Sequence, residues 1–299
     1  MSYLDLYTSP AATFSGTQLP FSDADYVVVG VPLDVTSSFR PGSRFAPPAI
    51  RQASLNMESH SFISGEDLED LRICDAGDLH VSGGVQETLE RLRLVTEEIM
   101  SKGKIPVFIG GEHTLTLGAV KGIRGNVTVL SFDAHLDLRN EYLDQLVCHG
   151  TVMRRISELE NVSAIVEVGT RGACREELEY AKKHEINFIT SLQVLKDGTQ
   201  DAAEKINDVI GESDKVYLSI DMDVFDPSYA PAVQTPEPLG LSPLEVLTLL
   251  SKTCSKRIVG FDVVEVTPQY DNGVTSIQAA KTIFEVLSFI HKDRKKRKH

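Results

Sequence analysis

The stretch SFDAHLDL (131–138) begins as an apolar run and ends in alternating acidic and histidine side chains. An apolar run of this kind predicts a buried strand, and alternate residues of a strand project from one face of the sheet. The pattern therefore predicts that Asp133 and His135 point the same way, with Asp137 two residues further on. The stretch SIDMDVFDP (219–227) repeats the arrangement, so two predicted strands end in the same kinds of side chain.

The second of these stretches supplies Asp221 and Asp223, and a third apolar run, IPVFIGGEHTLTLG (105–118), delivers His113 after a Gly-Gly turn. Together the three stretches offer four carboxylates and two imidazoles. Such groups are costly to bury together without a cation between them. Carboxylate oxygens mixed with imidazole favour Mn, Fe, Co, Ni or Zn over Ca or Mg. The sequence therefore predicts two bound divalent ions, Mn²⁺ in preference to Zn²⁺.

Strand-like and helix-like segments alternate along the chain, and several of the strands are continuously apolar. This alternation predicts a mostly parallel sheet with helices on both faces. Ligands of such sheets bind beyond the carboxyl ends of the strands, so the polar strand ends are predicted to meet at one edge. The predicted strands are 26–31, 71–77, 105–111, 127–133, 162–169, 186–190, 215–221 and 257–266. The predicted helices are 47–58, 85–102, 114–122, 150–159, 174–185, 201–210, 242–253 and 274–291.

The composition, 41% hydrophobic and 24% charged, is that of an ordinary globular protein. No apolar run approaches the roughly 18 residues that would span a membrane, so no membrane partner is expected. The first residues show neither the basic start nor the apolar segment of a secretory signal. Four scattered cysteines with no C-x-x-C spacing predict free thiols in a reducing cytoplasm.

The net charge of −13 is unevenly distributed. The last eight residues, KDRKKRKH, carry six Lys/Arg and one Asp, a charge of +5, so the rest of the chain carries about −18. The negative charge of the rest of the chain argues against nucleic acid as a ligand and suits a small cationic ligand. We interpret 292–299 as a basic, solvated helix end and 1–24 as an N-terminal arm, within a single domain over 1–299.

Three further side chains are candidates for chemistry. His149, in a predicted loop, is either a surface or capping residue or a proton relay. Glu265, inside the apolar run VGFDVVEVTP, must meet either a structural arginine or a cationic substrate, because a buried unpaired carboxylate is costly. Asp262 is a candidate hydrogen-bond acceptor for a metal-ligating histidine. Cys148 has no evident base beside it, so we do not expect it to be a nucleophile.

Two other motifs favour a structural interpretation. GDLH (77–80) is similar to the G-D-x-H of metallophosphoesterases, but the accompanying elements of that family are missing from the sequence. Asp78 and His80 are therefore expected to be structural. The segment 36–51 has no phosphate-loop lysine and predicts a rigid loop that leads into a helix.

GGEH (110–113), SFDAHLD (131–137) and SIDMDVFDPSYAPAVQTPEPLGLS (219–242) together resemble the ureohydrolase family of arginases and agmatinases. The similarity runs from about residue 25 to residue 290. SFRPGSRFAPPAIR (38–51) and DVVEVTPQYD (262–271) look like agmatinase rather than arginase. The resemblance implies a three-layer α/β/α domain with about eight strands in the sheet, a binuclear manganese site, and a homotrimer or homohexamer.

The resemblance also implies a role for each matching residue. Two ligands, Asp133 and Asp221, would bridge the two Mn²⁺ ions. His149 would shuttle protons, Asp137 would handle the proton of the attacking water, and Glu265 would pair with the guanidinium. The implied ligands are His113, Asp133, Asp137 and Asp221 for the first ion, and Asp133, His135, Asp221 and Asp223 for the second.

The resemblance implies hydrolysis of a guanidinium to urea and an amine, with agmatine, which gives putrescine, as the first choice of substrate. Arginine, guanidinobutyrate and aminopropyl-agmatine remain alternatives within the same chemistry. A metal-dependent deacetylase and a non-catalytic binding protein are alternatives outside it. The segment 138–147 contains Arg139, Glu141 and Asp144 and does not decide between substrates.

Overall fold

A single sheet organises the computed structural model, which describes residues 2–211 and 213–296. Within those ranges nine strands lie in the order β1-β3-β2-β4-β9-β8-β5-β6-β7, and every neighbouring pair is parallel except β1 and β3. The strands are β1 (Thr8–Ser9), β2 (Tyr26–Gly30), β3 (Ile73–Leu79), β4 (Ile105–Ile109), β5 (Val127–Phe132), β6 (Val162–Thr170), β7 (Asn187–Thr190), β8 (Val216–Asp221) and β9 (Ile258–Val264).

Helices cover both faces of the sheet. None of those in the described ranges is long and apolar enough to cross a bilayer. One apolar layer is filled from α2, α7, α8, α9 and α10, and the other from α1, α3, α4, α5 and α6. The helices are α1 (Tyr3–Tyr7), α2 (Ala46–Ser54), α3 (Val85–Ser101), α4 (Leu115–Lys121), α5 (Val152–Ser157), α6 (Arg175–Lys183), α7 (Ser191–Asp197), α8 (Thr199–Ile210), α9 (Pro243–Thr253) and α10 (Val274–Lys295).

The predicted three-layer α/β/α architecture is therefore confirmed. In β8, Leu218 and Ile220 enter one apolar layer while Tyr217 enters the other, which is why the strand sequences are continuously apolar. All eight predicted strands are present. The ninth, β1, was not predicted, because two residues are too short to show a pattern; it pairs with β3 from within the segment that we interpreted as an arm.

Helix ends follow local capping signals. Ser242 caps α9 with Glu245 in a capping box, and the helix begins where the predicted helix 242–253 does, within one residue. Sequence analysis missed α7, although Thr190 and Gln193 form the same kind of box at its start. The predicted end of α10 at residue 291 is wrong, since the helix continues to Lys295 and runs into the segment interpreted as a solvated end, where Lys292 Nζ donates to the Ser64 carbonyl at 2.6 Å.

A buried ion pair fixes α2 to the sheet. The Arg51 guanidinium, 0% exposed, donates from Nε and Nη2 to the two oxygens of Asp75, both at 2.8 Å. Its Nη1 reaches Asp78 Oδ1 at 2.5 Å, and its Nη2 also donates to the Gly77 carbonyl. Asp78 is thus structural, as expected. Because the loop before α2 runs over the carboxyl ends of the strands, this pair also holds that loop in place.

Replacing Asp75 by Asn should destabilise the fold strongly. The Arg51 charge would stay buried with half of its compensation removed, at a cost of about 3–5 kcal/mol in the free energy of unfolding. Urea unfolding followed by circular dichroism measures this. Asp70→Asn is the matched control, because Asp70 meets Lys295 only at the surface, 3.5 Å away, and should cost about 1 kcal/mol or less. Equal shifts in the two variants would contradict the assignment.

Candidate metal centre

The centre lies at the carboxyl ends of four strands that are neighbours in the middle of the sheet. In the order β4, β9, β8 and β5, these strands lead to His113, Glu265, Asp221 and Asp133. The residues are far apart in sequence, but the parallel register brings their strand ends to one edge. The predicted convergence of these segments is what the structure shows.

The local backbone differs from the one that strand alternation implied. The strand β5 already ends at Phe132, so Asp133 and the residues after it lie in a loop. Asp133 Oδ1 accepts a hydrogen bond from the His135 amide at 2.6 Å, and Asp221 Oδ1 accepts one from the Asp223 amide at 2.9 Å. Each short turn is closed by the carboxylate at its start. The side chains converge because of these turns, not because of strand alternation.

A first group of ligand-type atoms surrounds the imidazole of His113. Its Nδ1 lies 3.0 Å from Asp133 Oδ2, 3.2 Å from Asp137 Oδ2 and 3.4 Å from Asp221 Oδ2. All four side chains are at most 10% exposed. Asp137 has a φ of +50°, a left-handed conformation that is strained for a residue with a side chain and that recurs at functional sites.

A second group shares Asp133 with the first. His135 Nδ1 lies 3.0 Å from Asp223 Oδ2 and 3.6 Å from Asp133 Oδ1. His113, Asp133 and Asp221 of the first group each offer one ligand-type atom within 4.8 Å of the others, and so do Asp133, His135 and Asp223 of the second. Gly172 leaves room for the ring, since a Cβ there would meet His135 Cδ2 at 2.7 Å. All six sequence-predicted ligands are thus brought together.

The donor set fits a cation. His113 Nδ1 and Asp133 Oδ2 are both buried and have no hydrogen-bond partner among the described residues, although they lie 3.0 Å apart. On the other side of the ring, His113 Nε2 lies 3.0 Å from Ser219 Oγ, which itself donates to Asp262 Oδ1 at 2.6 Å. Ser219 must therefore accept from Nε2–H, which leaves the lone pair of Nδ1 facing the carboxylates.

The crowding of negative charge also indicates that this site suits a cation. Burial and the charge of Asp133 raise the pKa of Asp137 to about 7. Burial, Asp223 and Asp133 raise the pKa of Asp221 well above its usual range. Burial lowers the pKa of His113, but the nearby carboxylates of Asp133 and Asp137 outweigh it and raise the pKa well above its usual range. The carboxylates thus draw positive charge into the site, and a divalent ion would supply it.

Asp262 acts differently from our expectation. It does not contact a ligand histidine directly but reaches His113 through the Ser219 hydroxyl. It also accepts hydrogen bonds from Tyr217 at 2.7 Å and from Thr116 at 2.9 Å, so its carboxylate is held by three donors. Asp262 and Ser219 therefore orient the imidazole and fix its tautomer.

His149 is buried, not a surface residue. Its Nδ1 lies 3.3 Å from Thr36 Oγ1, which donates to Glu112 Oε1 at 2.8 Å, and its Nε2 lies 3.0 Å from Ser38 Oγ. Thr36 must accept from Nδ1–H, so the Nε2 lone pair faces Ser38. Burial, together with the neighbouring imidazoles, lowers the pKa of His149 to about 4, so the ring is neutral at pH 7.

Sequence analysis missed the residues that orient His149. The segment 36–51 was interpreted as a rigid loop alone, yet Thr36 and Ser38 both contact this imidazole. Glu112 was overlooked although it lies beside His113 in GGEH, and it accepts the Val35 and Thr36 amides at 2.9 and 2.8 Å. An acidic residue next to a predicted ligand was the available signal.

Glu265 lines a cavity of about 270 Å³ together with His135, Asp137, His149 and Asp221. Its Oε1 accepts from the His113 amide at 2.6 Å, whereas its Oε2 is buried and has no partner in the described ranges. No described arginine pairs with it, which removes the structural alternative. Burial raises its pKa, and its φ of +68° is the second left-handed backbone in the site.

The charged residues of the segment 138–147 differ in whether they line this cavity. Of the charged residues in 138–147, Arg139 lines the cavity, whereas Glu141 and Asp144 do not. Arg139 Nε lies 3.9 Å from Glu177, and its guanidinium lies over the Tyr142 ring at 5.1 Å. Two carboxylates that the sequence analysis did not single out, Glu177 and Glu237, also line the cavity.

The remaining candidates are structural. Cys148 is buried with Sγ 3.6 Å from Thr151 Oγ1, and burial raises the pKa of its thiol, so it is not an activated nucleophile. His80 Nε2 lies 2.5 Å from Ser9 Oγ on β1, far from the metal centre along the sheet. The four cysteines are free thiols, as predicted.

Comparison with known proteins identifies the family. The family model described as arginase family matches residues 24–288, most of the chain. The chain belongs to the arginase family. This confirms the resemblance that the three motifs suggested.

Two curated relatives and one solved structure are similar over nearly the whole arginase-family chain. The N(1)-aminopropylagmatine ureohydrolase of Thermococcus kodakarensis is 40% identical over 87% of this chain and 89% of its own length. The agmatinase of Pyrococcus horikoshii is 36% identical over 94% and 98%. The crystal structure of agmatine ureohydrolase of Thermoplasma volcanium has a TM-score of 0.89 at 38% identity and covers 96% of this chain and 97% of its own.

Replacing Ser219 by Ala should weaken metal binding without removing a ligand. The imidazole of His113 would lose the hydroxyl that fixes its tautomer, and Mn²⁺ affinity should fall about 10-fold or more. Titration of metal-free protein with Mn²⁺ measures this. Ser131→Ala is the control, because Ser131 lies opposite Ser219 on β5 and its hydroxyl has no described partner. An unchanged affinity in Ser219→Ala would refute the orienting role.

Proposed function

We propose that this protein is a binuclear manganese ureohydrolase that cleaves the guanidinium of agmatine to urea and putrescine. The observation that carries the proposal is the unpartnered, buried Oε2 of Glu265, which lines a cavity bordered by both carboxylate–imidazole groups. A guanidinium offers the donors that this oxygen lacks, in a planar fork that suits a carboxylate. Burial raises the pKa of Glu265, and the positive charge of a bound guanidinium would lower it again.

Two Mn²⁺ ions are the proposed cofactor. Asp133 and Asp221 would contact both ions, which suits the position of Asp133 in both groups. When bound, such a pair lowers the pKa of a shared water and so supplies a nucleophile near neutral pH. The first ion would be held by His113, Asp133, Asp137 and Asp221, and the second by Asp133, His135, Asp221 and Asp223.

The chain's own residues would then orient the substrate and move protons. Glu265 holds the guanidinium so that its carbon faces the two groups of ligands, which makes the attack intramolecular. Asp137 lies 3.2 Å from His113 and lines the cavity, and it would take the proton that the attacking water loses. His149 is neutral, so its Nε2 can take up a proton and pass it to the leaving amine.

Charge at the cavity favours a substrate with a cationic far end. Glu237 lines the cavity and forms no ion pair within the described ranges, so it can attract the ammonium of agmatine. Arg139 opposes this, but Glu177 lies 3.9 Å from it and offsets part of its charge. The acidic chain, with a net charge of −13, adds to the preference for a dication over an amino acid.

Aminopropyl-agmatine is the second candidate substrate. It shares the guanidinium and adds positive charge at the far end, and the Thermococcus kodakarensis relative at 40% identity is named for it. Arginine and guanidinobutyrate fit less well because each carries a carboxylate that Glu237 would repel. We further propose that the enzyme forms a homotrimer or homohexamer, as the family resemblance implies. The free cysteines support a cytoplasmic location.

A urea-release assay across the four guanidino compounds tests the proposal. With the Mn²⁺-loaded enzyme, kcat/KM for agmatine should exceed that for arginine by at least about tenfold, or about 1.4 kcal/mol. Glu265→Gln keeps the size of the side chain but removes its charge, and should lower kcat/KM for every substrate. Preference for arginine would refute the agmatine assignment, and no urea from any compound would refute the ureohydrolase.

Removing the imidazole of His149 should separate proton transfer from metal binding. His149→Ala should keep its full Mn²⁺ content but lose about 10²-fold or more in kcat, as expected when a general acid is removed. Metal analysis and steady-state kinetics on one preparation measure both. His135→Ala is the matched control, and it should lose metal. If His149→Ala loses metal to the same extent, His149 is a ligand instead.

A further inference from the structure

A second cavity, of about 770 Å³, lies at the opposite edge of the sheet from the metal centre. It is bordered by the starts of β2, β8 and β9 and by the last turns of α10. It shares no lining residue with the metal-centre cavity. Its lining residues are Asp25, Tyr26, Asp214, Lys256, Arg257, His291, Arg294 and Lys295.

Positive charge dominates this cavity, although the protein is acidic overall. Lys256, Arg257 and Arg294 line it, and none of them forms an ion pair with another residue of the described part of the chain. Lys295 is compensated by Glu66, at 2.7 Å. Asp25 is partly compensated by Arg72, at 3.6 Å. Three cations without an ion pair in the described ranges therefore line this cavity, against one such carboxylate, Asp214, in a protein whose net charge is −13.

A tyrosine also lines this cavity. Tyr26 is 1% exposed, yet no described residue forms a hydrogen bond with its hydroxyl. Burial raises the pKa of this phenol, so it stays protonated and can act as a donor.

A buried imidazole nitrogen without a partner also belongs to a residue that lines this cavity. His291 Nε2 is buried and has no hydrogen bond in the described ranges; its nearest carboxylate oxygen, Glu66 Oε2, is 3.9 Å away. Burial and the charge of Lys295 lower the pKa of this imidazole, so the ring is neutral and one of its nitrogens carries a proton. Nearly every polar group that lacks a partner around this cavity can therefore donate.

We propose that this cavity binds the phosphate group of a small phosphorylated molecule. A tetrahedral oxyanion offers several acceptor oxygens to Arg257, Arg294, Lys256 and the Tyr26 hydroxyl together, and guanidinium groups suit phosphate in particular. The cavity is larger than phosphate needs, which leaves room for the rest of a molecule such as a sugar phosphate. Asp25 and Asp214 at the exposed side can accept from its hydroxyl groups.

Isothermal titration of the Mn²⁺-loaded enzyme, freed of excess metal, tests the site. One arm uses inorganic phosphate and the other ribose 5-phosphate, with ribose and sodium chloride of equal ionic strength as blanks. Binding is expected at millimolar concentration or below, and tighter binding of ribose 5-phosphate than of phosphate would identify the phosphorylated molecule as the source. Binding of phosphate alone would support the anion site but overturn its assignment to a phosphorylated molecule.

Matched variants locate the binding. Tyr26→Phe removes only the hydroxyl, and Arg294→Gln removes one charge; each should raise Kd by at least about tenfold. Lys256→Gln serves as a second charge variant if Arg294→Gln fails to fold. Lys196→Gln removes an exposed charge on α7, outside the cavity, and should leave Kd unchanged. Agmatine hydrolysis without phosphate should be unaffected in all four variants, so the result is independent of the proposed function.

Two further outcomes would overturn the proposal. The first is that neither ligand binds at up to 10 mM, a concentration of the order at which a weak metabolite site would fill. The second is that Lys196→Gln weakens binding as much as Arg294→Gln, which would indicate a general effect of charge rather than a site.

Discussion

Repulsion among four buried carboxylates is the constraint on which the centre of this molecule depends. Asp133, Asp137, Asp221 and Asp223 are each at most 7% exposed and lie within a few ångströms of two imidazoles. Such an arrangement is costly unless positive charge is supplied, and the raised pKa values of Asp137 and Asp221 express that cost. The rest of the sheet can be understood as the scaffold that holds these groups together against their repulsion.

Two histidines of the site are oriented by the same device. In each case a buried carboxylate accepts from a hydroxyl, and the hydroxyl accepts from one ring nitrogen. Asp262 and Ser219 orient His113 in this way. Glu112 and Thr36 orient His149. The consequences differ with the surroundings. The free nitrogen of His113 faces carboxylates and suits a metal ion, whereas that of His149 faces Ser38 and the neighbouring cavity and suits proton transfer.

The sequence predicted most of this site because the strand ends carry it. Apolar runs followed by Asp and His located six candidate ligands, and parallel topology indicated that they would meet. The sequence could not reveal Thr36 and Ser38, since their partner, His149, lies more than a hundred residues away and nothing local marks the contact. Nor could it show that Asp262 works through Ser219, because this depends on the register between β8 and β9. β1 and α1 escaped prediction because they are too short for a periodic pattern.

The order of the strands has a consequence for how the chain folds. β9, the last strand to be synthesised, lies between β4 and β8, so the two halves of the sheet remain separate until it is inserted. Asp133, His135, Asp221 and Asp223 come from β5 and β8, which are direct neighbours, whereas His113 comes from the far side of β9. One half of the metal centre can therefore assemble once β8 has been synthesised, but the other must wait for β9, close to the end of the chain. Until β9 is inserted, the apolar edges of β4 and β8 stay unpaired. Because this pairing is late and long-range, the topology is expected to fold slowly and to be exposed to aggregation while it does so.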